Sequence, residues 1–509
     1  FATQAERDYV FGVRFFETEY EQRLASLYLS GDIFELPGGT VAAGFGYETR
    51  KDELTSLPNQ VAADGLFFGF SVDEGAIGDK TVDEFFAEVE LPLLAGVTAF
   101  EELTVNLSTR YTDDEIYGGN WTGSYKLGWR PMDSVLIRGT YGTSFRAPNL
   151  RELFLAGQTG FNNSFFDPCY VPQSAINEAT DEYDPALDRR DPVVLANCLA
   201  NGVDPTLARI GAGITQYPVE IKSGGALDLF AEKSDSWTAG LVWDLPFNAF
   251  DLTIGGSYYE IDIRNTIIEP SENFIVGDCY GSATGNSPFC ERITRDFTDE
   301  TDPRITLIDA GFINRDNESA RGVDLNLLFA DTWTIFERPI DVTLDMRANR
   351  QLERSTLFVS ADGVSDFNEF KGSFGFPAWK GRSIIRFDYA DWRVTWETNY
   401  LGSVQLREEL RDDFDDISGL SDTCFGPPDD VLCRDVDFAE NYFRHAVSVY
   451  YYGDEWTLGA GIRNVLAEDP PFVDGSEVQA LNNAPIGYGY DLMGRTYFFN
   501  VSYTFGGGE

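Results

Sequence analysis

Apolar and polar side chains alternate through residues 135–146. Ile137 and Tyr141 fall on one side of an extended chain, and Arg138 falls on the other. A repeat of two residues is typical of a β-strand with one apolar face. Pro148 cannot donate a hydrogen bond to a neighbouring strand, so we expect the strand to end there and the chain to enter a loop.

About fifteen segments of the chain share this alternation. They cover residues 23–34, 40–50, 81–91, 103–111, 123–129, 135–145, 237–245, 252–259, 323–329, 342–348, 385–389, 392–400, 446–452, 456–462 and 497–505. Their connections alternate between short and long, as in a transmembrane antiparallel β-barrel with tight periplasmic turns and long extracellular loops. The sequence therefore predicts an all-β fold of this architecture, and a soluble β-sandwich is the competing interpretation.

The segments between the predicted strands have different expected roles. Residues 1–20 have no clear period and are interpreted as the end of a loop, and a polar loop is expected to reach about Lys80. Three long extracellular loops are predicted at residues 146–233, 266–318 and 403–441. Connections of this length are uncommon unless they have a function.

One face of the predicted strands carries charged side chains. A sandwich would turn this face to the outer solvent, whereas a barrel would turn it to enclosed water and its aromatic face to lipid. The candidates for lining the lumen are Arg110, Arg138, Arg146, Arg347, Arg393, Glu397 and Arg463.

Composition narrows the class of protein. No run of about 18 apolar residues occurs, so the sequence offers no transmembrane helix. The aromatic content of 14% and the 49 glycines favour an all-β chain. The net charge of −46 and the pI of about 4.2 argue against nucleic acid as a partner and against adhesion to anionic lipid head groups. Divalent cations are the natural counter-ions of such a surface.

Six cysteines indicate an oxidising compartment. The pairings that staple loops without crossing strands are Cys169 with Cys198, Cys279 with Cys290, and Cys424 with Cys433. A zinc site is the alternative, but no CxxC spacing occurs and His445 is the only histidine. No signal peptide is visible at the start of the sequence, so the chain is expected to be either a fragment or a protein that is not exported.

Residues 142–154, GTSFRAPNLRELF, closely resemble the hallmark segment of TonB-dependent outer-membrane receptors. The residues that carry this resemblance are Ser144, Phe145, Arg146, Ala147, Pro148, Leu153 and Phe154. The similarity continues, in the order that the family uses, through SARGVDLNLLF at residues 319–329, GIRNVLAEDPPFVDG at residues 461–475 and GRTYFFNVSYTF at residues 494–505.

The resemblance implies a multi-pass barrel of about 22 strands in the bacterial outer membrane. Residues 1–509 would form its C-terminal part. About seven strands, a plug domain and the segment that contacts the TonB complex are then expected upstream of Phe1, since nothing in this sequence matches them. Tyr503 and Phe505 resemble the terminal signal read by the bacterial barrel-assembly machinery, although any last strand of a barrel needs lipid-facing aromatic residues.

Catalytic and metal-binding motifs are scarce. No GxSxG, HExxH or P-loop motif occurs, and His445 has no nucleophile motif near it, so we interpret it as a structural histidine and expect no enzyme. The acidic runs at residues 181–191, 296–302 and 412–416 are typical of solvated loop faces. Calcium held by such loops is the alternative, although EF-hand spacing is absent. No other cofactor is expected.

These patterns predict a receptor that captures a scarce solute on its loops and imports it through the barrel with energy derived from TonB. The candidates for ligand contact are the loop aromatic residues Phe161, Phe165, Phe166 and Tyr170. The alternative is that these rings pack the loop against itself. Expected partners are the lipid bilayer, lipopolysaccharide and a small or oligomeric solute.

The sequence leaves two points of function open. Loop aromatic and carboxylate side chains suit sugars, while the scarcity of basic loop residues disfavours anionic ferric chelates. The competing function is a non-transporting outer-membrane barrel used for adhesion or as a surface scaffold. A plug and a TonB box upstream would favour transport.

Overall fold

The computed structural model describes residues 3–68, 72–177, 179–207, 216–247, 249–298, 303–335, 337–360, 363, 365–406, 438–473, 478–481 and 483–505. Within this part of the chain the fold is all-β, with 26 strands and a few short helices. No helix in the described residues is long and apolar enough to span a membrane.

The strands, in chain order, have the following bounds. They are β1 (Phe16–Leu36), β2 (Gly39–Pro58), β3 (Gly75–Val97), β4 (Phe100–Asp114), β5 (Gly118–Met132), β6 (Val135–Arg146), β7 (Leu155–Phe166), β8 (Ile176–Asn177), β9 (Glu182–Tyr183), β10 (Gln216–Ser223), β11 (Glu232–Pro246), β12 (Asp251–Ile268), β13 (Ile293–Asp296), β14 (Arg304–Asp309), β15 (Ile313–Ile335), β16 (Arg338–Val359), β17 (Ser365–Glu369), β18 (Trp379–Tyr389), β19 (Trp392–Leu401), β20 (Val404–Gln405), β21 (Phe438–Ala439), β22 (Tyr442–Tyr452), β23 (Trp456–Arg463), β24 (Ala480–Leu481), β25 (Ala484–Pro485) and β26 (Thr496–Tyr503).

The helices are short and lie between the long strands. The α-helices are α1 (Gln4–Val10), α2 (Gln60–Ala63), α3 (Leu150–Phe154), α4 (Pro192–Ala200) and α5 (Glu272–Gly281), and two 3₁₀ turns cover Gln173–Ala175 and Pro288–Arg292.

Fifteen long strands form one antiparallel sheet, which we call the wall. Each pairs with the next in the order β1, β2, β3, β4, β5, β6, β11, β12, β15, β16, β18, β19, β22, β23, β26. Fourteen of the fifteen predicted segments fall within these strands, and the last, residues 497–505, overlaps β26, which ends at Tyr503. The prediction of an all-β chain with about fifteen strands is confirmed. In the described residues β1 pairs only with β2 and β26 only with β23. The expected total of 22 strands stays a prediction.

Several wall strands are longer than the alternation predicted. β1, β2, β3, β15 and β16 contain 20 to 23 residues, whereas about 9–11 residues suffice to cross a bilayer. The prediction of a loop over residues 1–20 was wrong, because α1 and the start of β1 lie there. The polar loop before Lys80 is confined to residues 59–74. Polar side chains at consecutive positions, as in residues 50–53 and 314–319, interrupt the alternation in parts of these extensions.

Connections at the two ends of the wall differ in length. At one end they contain two to four residues, as between β1 and β2 or between β18 and β19. At the other end they are long, and the longest covers residues 147–231. Residues 115–117, between β4 and β5, are the exception. The predicted sorting of short and long connections is therefore present, with one short connection at the long-loop end.

The two faces of the wall differ in chemistry along every strand. One row of register partners is apolar across eight strands and contains Leu252, Phe329, Leu344, Ile385, Trp396, Val447, Ile462 and Tyr497. The same face carries exposed tryptophans near the short turns, namely Trp243, Trp333, Trp392 and Trp456. An apolar face of this extent on a single sheet suits contact with lipid. We call it the outer face and the opposite, polar face the inner face.

Two clusters of loops lie at the long-loop end. The first loop cluster, residues 155–231 and 269–312, contains a small sheet in which β7 and β10 are antiparallel, β10 and β14 parallel, and β13 and β14 antiparallel. The predicted loops at residues 146–233 and 266–318 therefore contain strands of their own, because their apolar residues share a buried core.

The second loop cluster is smaller. It comprises residues 370–378, 402–406 and 438–442 and the described residues of 464–495. Its core contains Phe374, Val404, Leu406, Ala439, Val473 and Val478. Most of the predicted loop at residues 403–441 lies outside the described residues.

Candidate functional site

At the hallmark segment the chain leaves the wall strand β6 and turns toward the inner face. β6 ends at Arg146, and Asn149 caps α3 by accepting hydrogen bonds from the backbone N–H groups of Arg151 and Glu152, both at 2.9 Å. The Glu152 carboxylate accepts a hydrogen bond from the Asn149 N–H at 2.8 Å, which completes a capping box. Leu153 is buried in this turn. The motif therefore forms a rigid corner.

α3 packs against the inner face of β3 at a glycine. A Cβ atom at Gly78 would lie 2.1 Å from the ring of Phe154. This close approach explains why a residue without a side chain stands opposite the motif phenylalanine. Ser144 lies at the other end of the motif, where its hydroxyl is 2.6 Å from the Ser234 hydroxyl on β11.

Arg146 links three elements of the corner. Its guanidinium donates to Glu152 of α3 at 3.0 Å and to Glu232 at the start of β11 at 2.7 and 2.8 Å. Glu232 also accepts a hydrogen bond from the Ile267 N–H at 2.8 Å. Arg146 thus points to the inner face, as expected, but it is engaged in holding the corner together.

The inner face of β2–β6, which we call the first wall sector, surrounds a cavity of about 400 Å³. Each of the other bases that line this cavity is paired with a carboxylate, namely Arg50 with Asp52 at 3.0 Å, Lys80 with Asp114 at 3.4 Å, and Arg110 with Glu84 at 2.8 Å. Lys80 also donates to the carbonyl oxygen of Pro148 at 3.0 Å. The charges around this cavity therefore offset one another.

The inner face of β15, β16, β18, β19 and β22, the second wall sector, lines a larger cavity of about 820 Å³ near the long-loop end. Its basic residues are Arg347, Lys380, Arg382 and Arg444, its carboxylates are Asp324 and Asp345, and its amides are Asn326, Asn349 and Asn399. Gly489 of the second loop cluster also lines this cavity. Of this set only Arg347 was a predicted lumen residue.

The register of the wall places all seven predicted lumen residues on the inner face. Arg138 donates to the Ser257 hydroxyl at 3.0 Å, and Arg393 pairs with Asp388 at 2.6 Å. Glu397 accepts from Arg382 at 2.9 Å, and Arg463 lies over the ring of Phe498 at 5.6 Å. That these residues line a water-containing lumen stays a prediction.

Two disulfides staple the first loop cluster. Cys169 is bonded to Cys198 and Cys279 to Cys290, as predicted. All but Cys290 are buried in the core of the cluster, and Cys290 packs against it. Cys424 and Cys433 lie outside the described residues, so their pairing stays a prediction.

A buried ion pair joins the two loops of this cluster. Arg295 donates to both oxygens of Asp167, at 2.7 and 3.1 Å, and both side chains are almost completely buried. Asp167 also accepts from the Tyr217 hydroxyl at 2.8 Å, and Arg295 donates to the Tyr280 hydroxyl at 2.9 Å. Burial opposes the charge of Arg295, but Asp167 outweighs it and raises the pKa of the guanidinium. Burial and Asp167 raise the pKa of Tyr217.

The prediction that Phe165 and Tyr170 contact ligand was wrong. Both rings are buried in the core of the first loop cluster, where each packs against Tyr217. The two other predicted contacts remain accessible, since Phe161 is 42% and Phe166 46% exposed. Tyr170 adjoins Cys169, and that proximity to a disulfide was the signal for a core position.

His445 and the last strand have mainly structural contacts. The His445 Nδ1 atom is 2.9 Å from the Thr398 hydroxyl, and its ring lies between Trp396 and Phe443 on the outer face. Tyr503 donates to Glu455 at 3.0 Å and packs against Trp456.

The candidates for metal binding and assembly are only partly covered by the described residues. In the described part of the chain no group of three or more His, Cys, Asp or Glu side chains is arranged to hold a metal ion. The acidic run at residues 412–416 lies outside that part. Phe505 is exposed beside Tyr503, and its role in assembly stays a prediction.

Residues 2–465 match the family described as TonB dependent receptor-like, beta-barrel. The ferric enterobactin receptor PfeA of Pseudomonas aeruginosa has the same fold, with a TM-score of 0.57, 12% identity, and coverage of 96% of this chain and 54% of that structure. The siderophore receptor PirA of Acinetobacter baumannii gives a TM-score of 0.53, 14% identity, and coverage of 95% and 55%.

A stretch of 83 residues is 31% identical to the vitamin B12 transporter BtuB of Vibrio cholerae, which covers 16% of this chain and 13% of the transporter. The chain spans just over half of the length of the two solved structures. These proteins are named as receptors and as a transporter rather than as enzymes. The chain belongs to the TonB-dependent receptor family, of which it contains β-barrel domain sequence.

Proposed function

We propose that this chain is the C-terminal part of the barrel of an outer-membrane receptor, which captures a scarce solute at its long loops and imports it with energy from the TonB complex. The observation that carries the proposal is the wall itself. Its fifteen strands, in a sequence that matches a family of β-barrels, present a continuous polar face to the inside and an apolar face to the outside.

The loop end supports capture of a ligand. The first loop cluster is held by two disulfides and a buried ion pair, so little chain entropy is lost when its surface binds a solute. Phe161 and Phe166 are exposed on this cluster and offer rigid contact area. Contact with TonB is proposed for a segment upstream of Phe1, and the outer face is proposed to contact lipid and lipopolysaccharide.

Transport is tested by solute depletion from a defined medium. Three strains of the source bacterium are compared: the wild type, one lacking this gene and one lacking TonB. We expect mass spectrometry to find at least one solute that the wild type removes and neither deletion strain removes. Restoring the full-length gene should restore removal of that solute.

Two outcomes would overturn the proposal. The first is identical depletion by the wild type and the strain without this gene under limitation for iron, cobalamin and oligosaccharides in turn. The second is loss of surface adhesion in that strain with unchanged depletion, which would support the non-transporting barrel.

A further inference from the structure

We infer that the second wall sector is a binding site for a solute that carries at least two carboxylate or comparable oxyanion groups. The inference rests on the proposed function, since it names the chemical class of the transported solute. The cavity of about 820 Å³ has the size of a small-molecule site.

The register of the wall brings like charges together in this sector. Arg347 of β16 stands directly opposite Arg382 of β18, and Arg382 is followed across β19 by Asn399 and then by Arg444 of β22. Like charges opposite one another destabilise a sheet. Asp345 and Glu397 each offset part of this repulsion, and an anion that bridges the guanidinium groups would offset more of it.

The bases keep free donors that point to the cavity. Asp345 takes two N–H groups of Arg347, and Glu397 takes two of Arg382. A guanidinium has five such donors, and these side chains remain 76% and 54% exposed.

The two remaining bases are less engaged still. Lys380 donates only to the Gly375 carbonyl oxygen, at 3.4 Å. Among the described residues neither Lys380 nor Arg444 has a carboxylate within ion-pair distance. Three carboxylates, Asp324, Asp345 and Glu397, face these four bases, so the sector keeps a small excess of positive charge in a chain whose net charge is −46.

The amides and the roof of the cavity complete the site. Asn326 stands opposite Arg347 and can offer an N–H group to a ligand oxygen. Asn349, opposite Lys380, already donates to Asp324 at 2.8 Å and to the Tyr259 hydroxyl at 3.1 Å. Tyr442 closes the long-loop end of the cavity, and its hydroxyl accepts a hydrogen bond from the Asp491 N–H at 3.4 Å. An oxyanion would thus meet donors on the wall below the second loop cluster.

The test uses the full-length receptor in neutral detergent and pyranine, a fluorescent trianion, with binding followed by fluorescence anisotropy. We expect the double variant Arg382→Gln/Arg444→Gln to weaken binding at least about tenfold, because each lost charge-assisted hydrogen bond costs about that factor. Arg444→Lys keeps the charge and should stay within about threefold of the wild type.

The matched control is Lys126→Gln. Lys126 is an exposed base on the inner face of β5, outside the cavity, and its replacement should leave affinity unchanged. Equal weakening by Lys126→Gln and by the double variant would overturn the inference, because it would show a general effect of lumen charge. Wild-type affinity in the double variant would overturn it as well.

A second variant separates binding from folding. Asn326→Asp places a carboxylate opposite Arg347 with no change in size, so the wall should be at least as stable while the trianion binds several-fold more weakly. Unchanged binding in this variant would also contradict the inference. If solute depletion depends on TonB but these variants bind normally, only the anion site fails. If the variants behave as expected but depletion is absent, only the transport proposal fails.

Discussion

The two loop clusters at the long-loop end are held together by different interactions. The first combines two disulfides with the buried pair of Asp167 and Arg295 and a large apolar core. The second has six core residues, the two-residue strand pair β20–β21 and the isolated bridge between Ser373 and Gln405. In its described residues it contains no disulfide.

Within the first cluster, the type of interaction depends on how far apart in the sequence the joined residues lie. Each disulfide of the first cluster joins two cysteines of the same loop. The ion pair instead connects residues 128 positions apart, which lie in different loops on either side of the β11–β12 hairpin. A covalent link lowers the entropy of one loop, and the ion pair fixes how the two loops dock. In its described residues the second cluster is held by apolar packing and short backbone pairings, and it forms the roof of the cavity. We infer that the first cluster is the rigid part of the loop end and that the second can adjust to a ligand.

The largest loss of stability is expected when the ion pair between Asp167 and Arg295 is broken. Asp167→Asn leaves the buried Arg295 charge without a partner, and we expect the first cluster to lose about 3–5 kcal/mol of stability. Hydrogen exchange of β10 and β14 should rise strongly, while exchange of the wall strands stays unchanged. Tyr217→Phe removes one hydrogen bond to the same carboxylate and should cost only about 1 kcal/mol. Equal effects of the two variants would show that the charge pair is not the connection.

The ion pair also shows where inference from sequence ends. The fifteen wall strands were predictable because crossing a membrane imposes alternation on every segment. Two disulfides were predictable because their cysteines are close in sequence. The pairing of Asp167 with Arg295 was not predictable, since nothing local connects them.

The basic cavity was missed for a related reason. Alternation tells which side of the strand Arg347 occupies, but it does not give the register that places Arg382 opposite Arg347, and Arg444 two strands beyond Arg382. The ends of the longest strands were missed where polar side chains at consecutive positions, as in residues 50–53 and 314–319, interrupt the alternation.

Loss of a disulfide should have the next largest effect. Cys169 and Cys198 are 29 residues apart, and replacing both by serine should destabilise the first cluster by about 3–4 kcal/mol. The shorter separation of 11 residues between Cys279 and Cys290 predicts about 3 kcal/mol for the corresponding change. Limited proteolysis of the loop end should detect both losses. A larger effect for the second pair would show that packing around the sulfurs, rather than loop entropy, dominates.

Acid should weaken the first cluster through Asp188. Hydrogen bonds from Arg190 lower the pKa of this carboxyl group to about 2, although burial opposes the shift. Arg190 in turn donates to the carbonyl oxygens of Pro168, Tyr170 and Pro205, near the disulfide. A carboxyl group with a lowered pKa in the folded state stabilises it above the unfolded pKa of about 4 and loses that contribution as the pH falls to about 2.

The expected loss through Asp188 is about 2 kcal/mol. It is measured as the rise in hydrogen exchange of residues 168–170 between pH 4 and pH 2, corrected for the intrinsic rate. In Asp188→Asn the corrected exchange should be high already at pH 4 and should change little below it. A variant with the same acid dependence as the wild type would assign the transition to another carboxylate.

The smallest effect is expected in the second cluster. Val473 is fully buried in its core, and Val473→Ala removes two methyl groups, which predicts a loss of about 1.5 kcal/mol. Because this cluster roofs the cavity, the variant should also release pyranine several-fold faster with little change in the rate of binding, as stopped-flow fluorescence would measure. The matched change in the first cluster is Val219→Ala, which removes an equally buried side chain and should leave release unchanged. Faster release in both variants would mean that the two clusters respond as one unit, and the contrast between a rigid and an adaptable cluster would no longer hold.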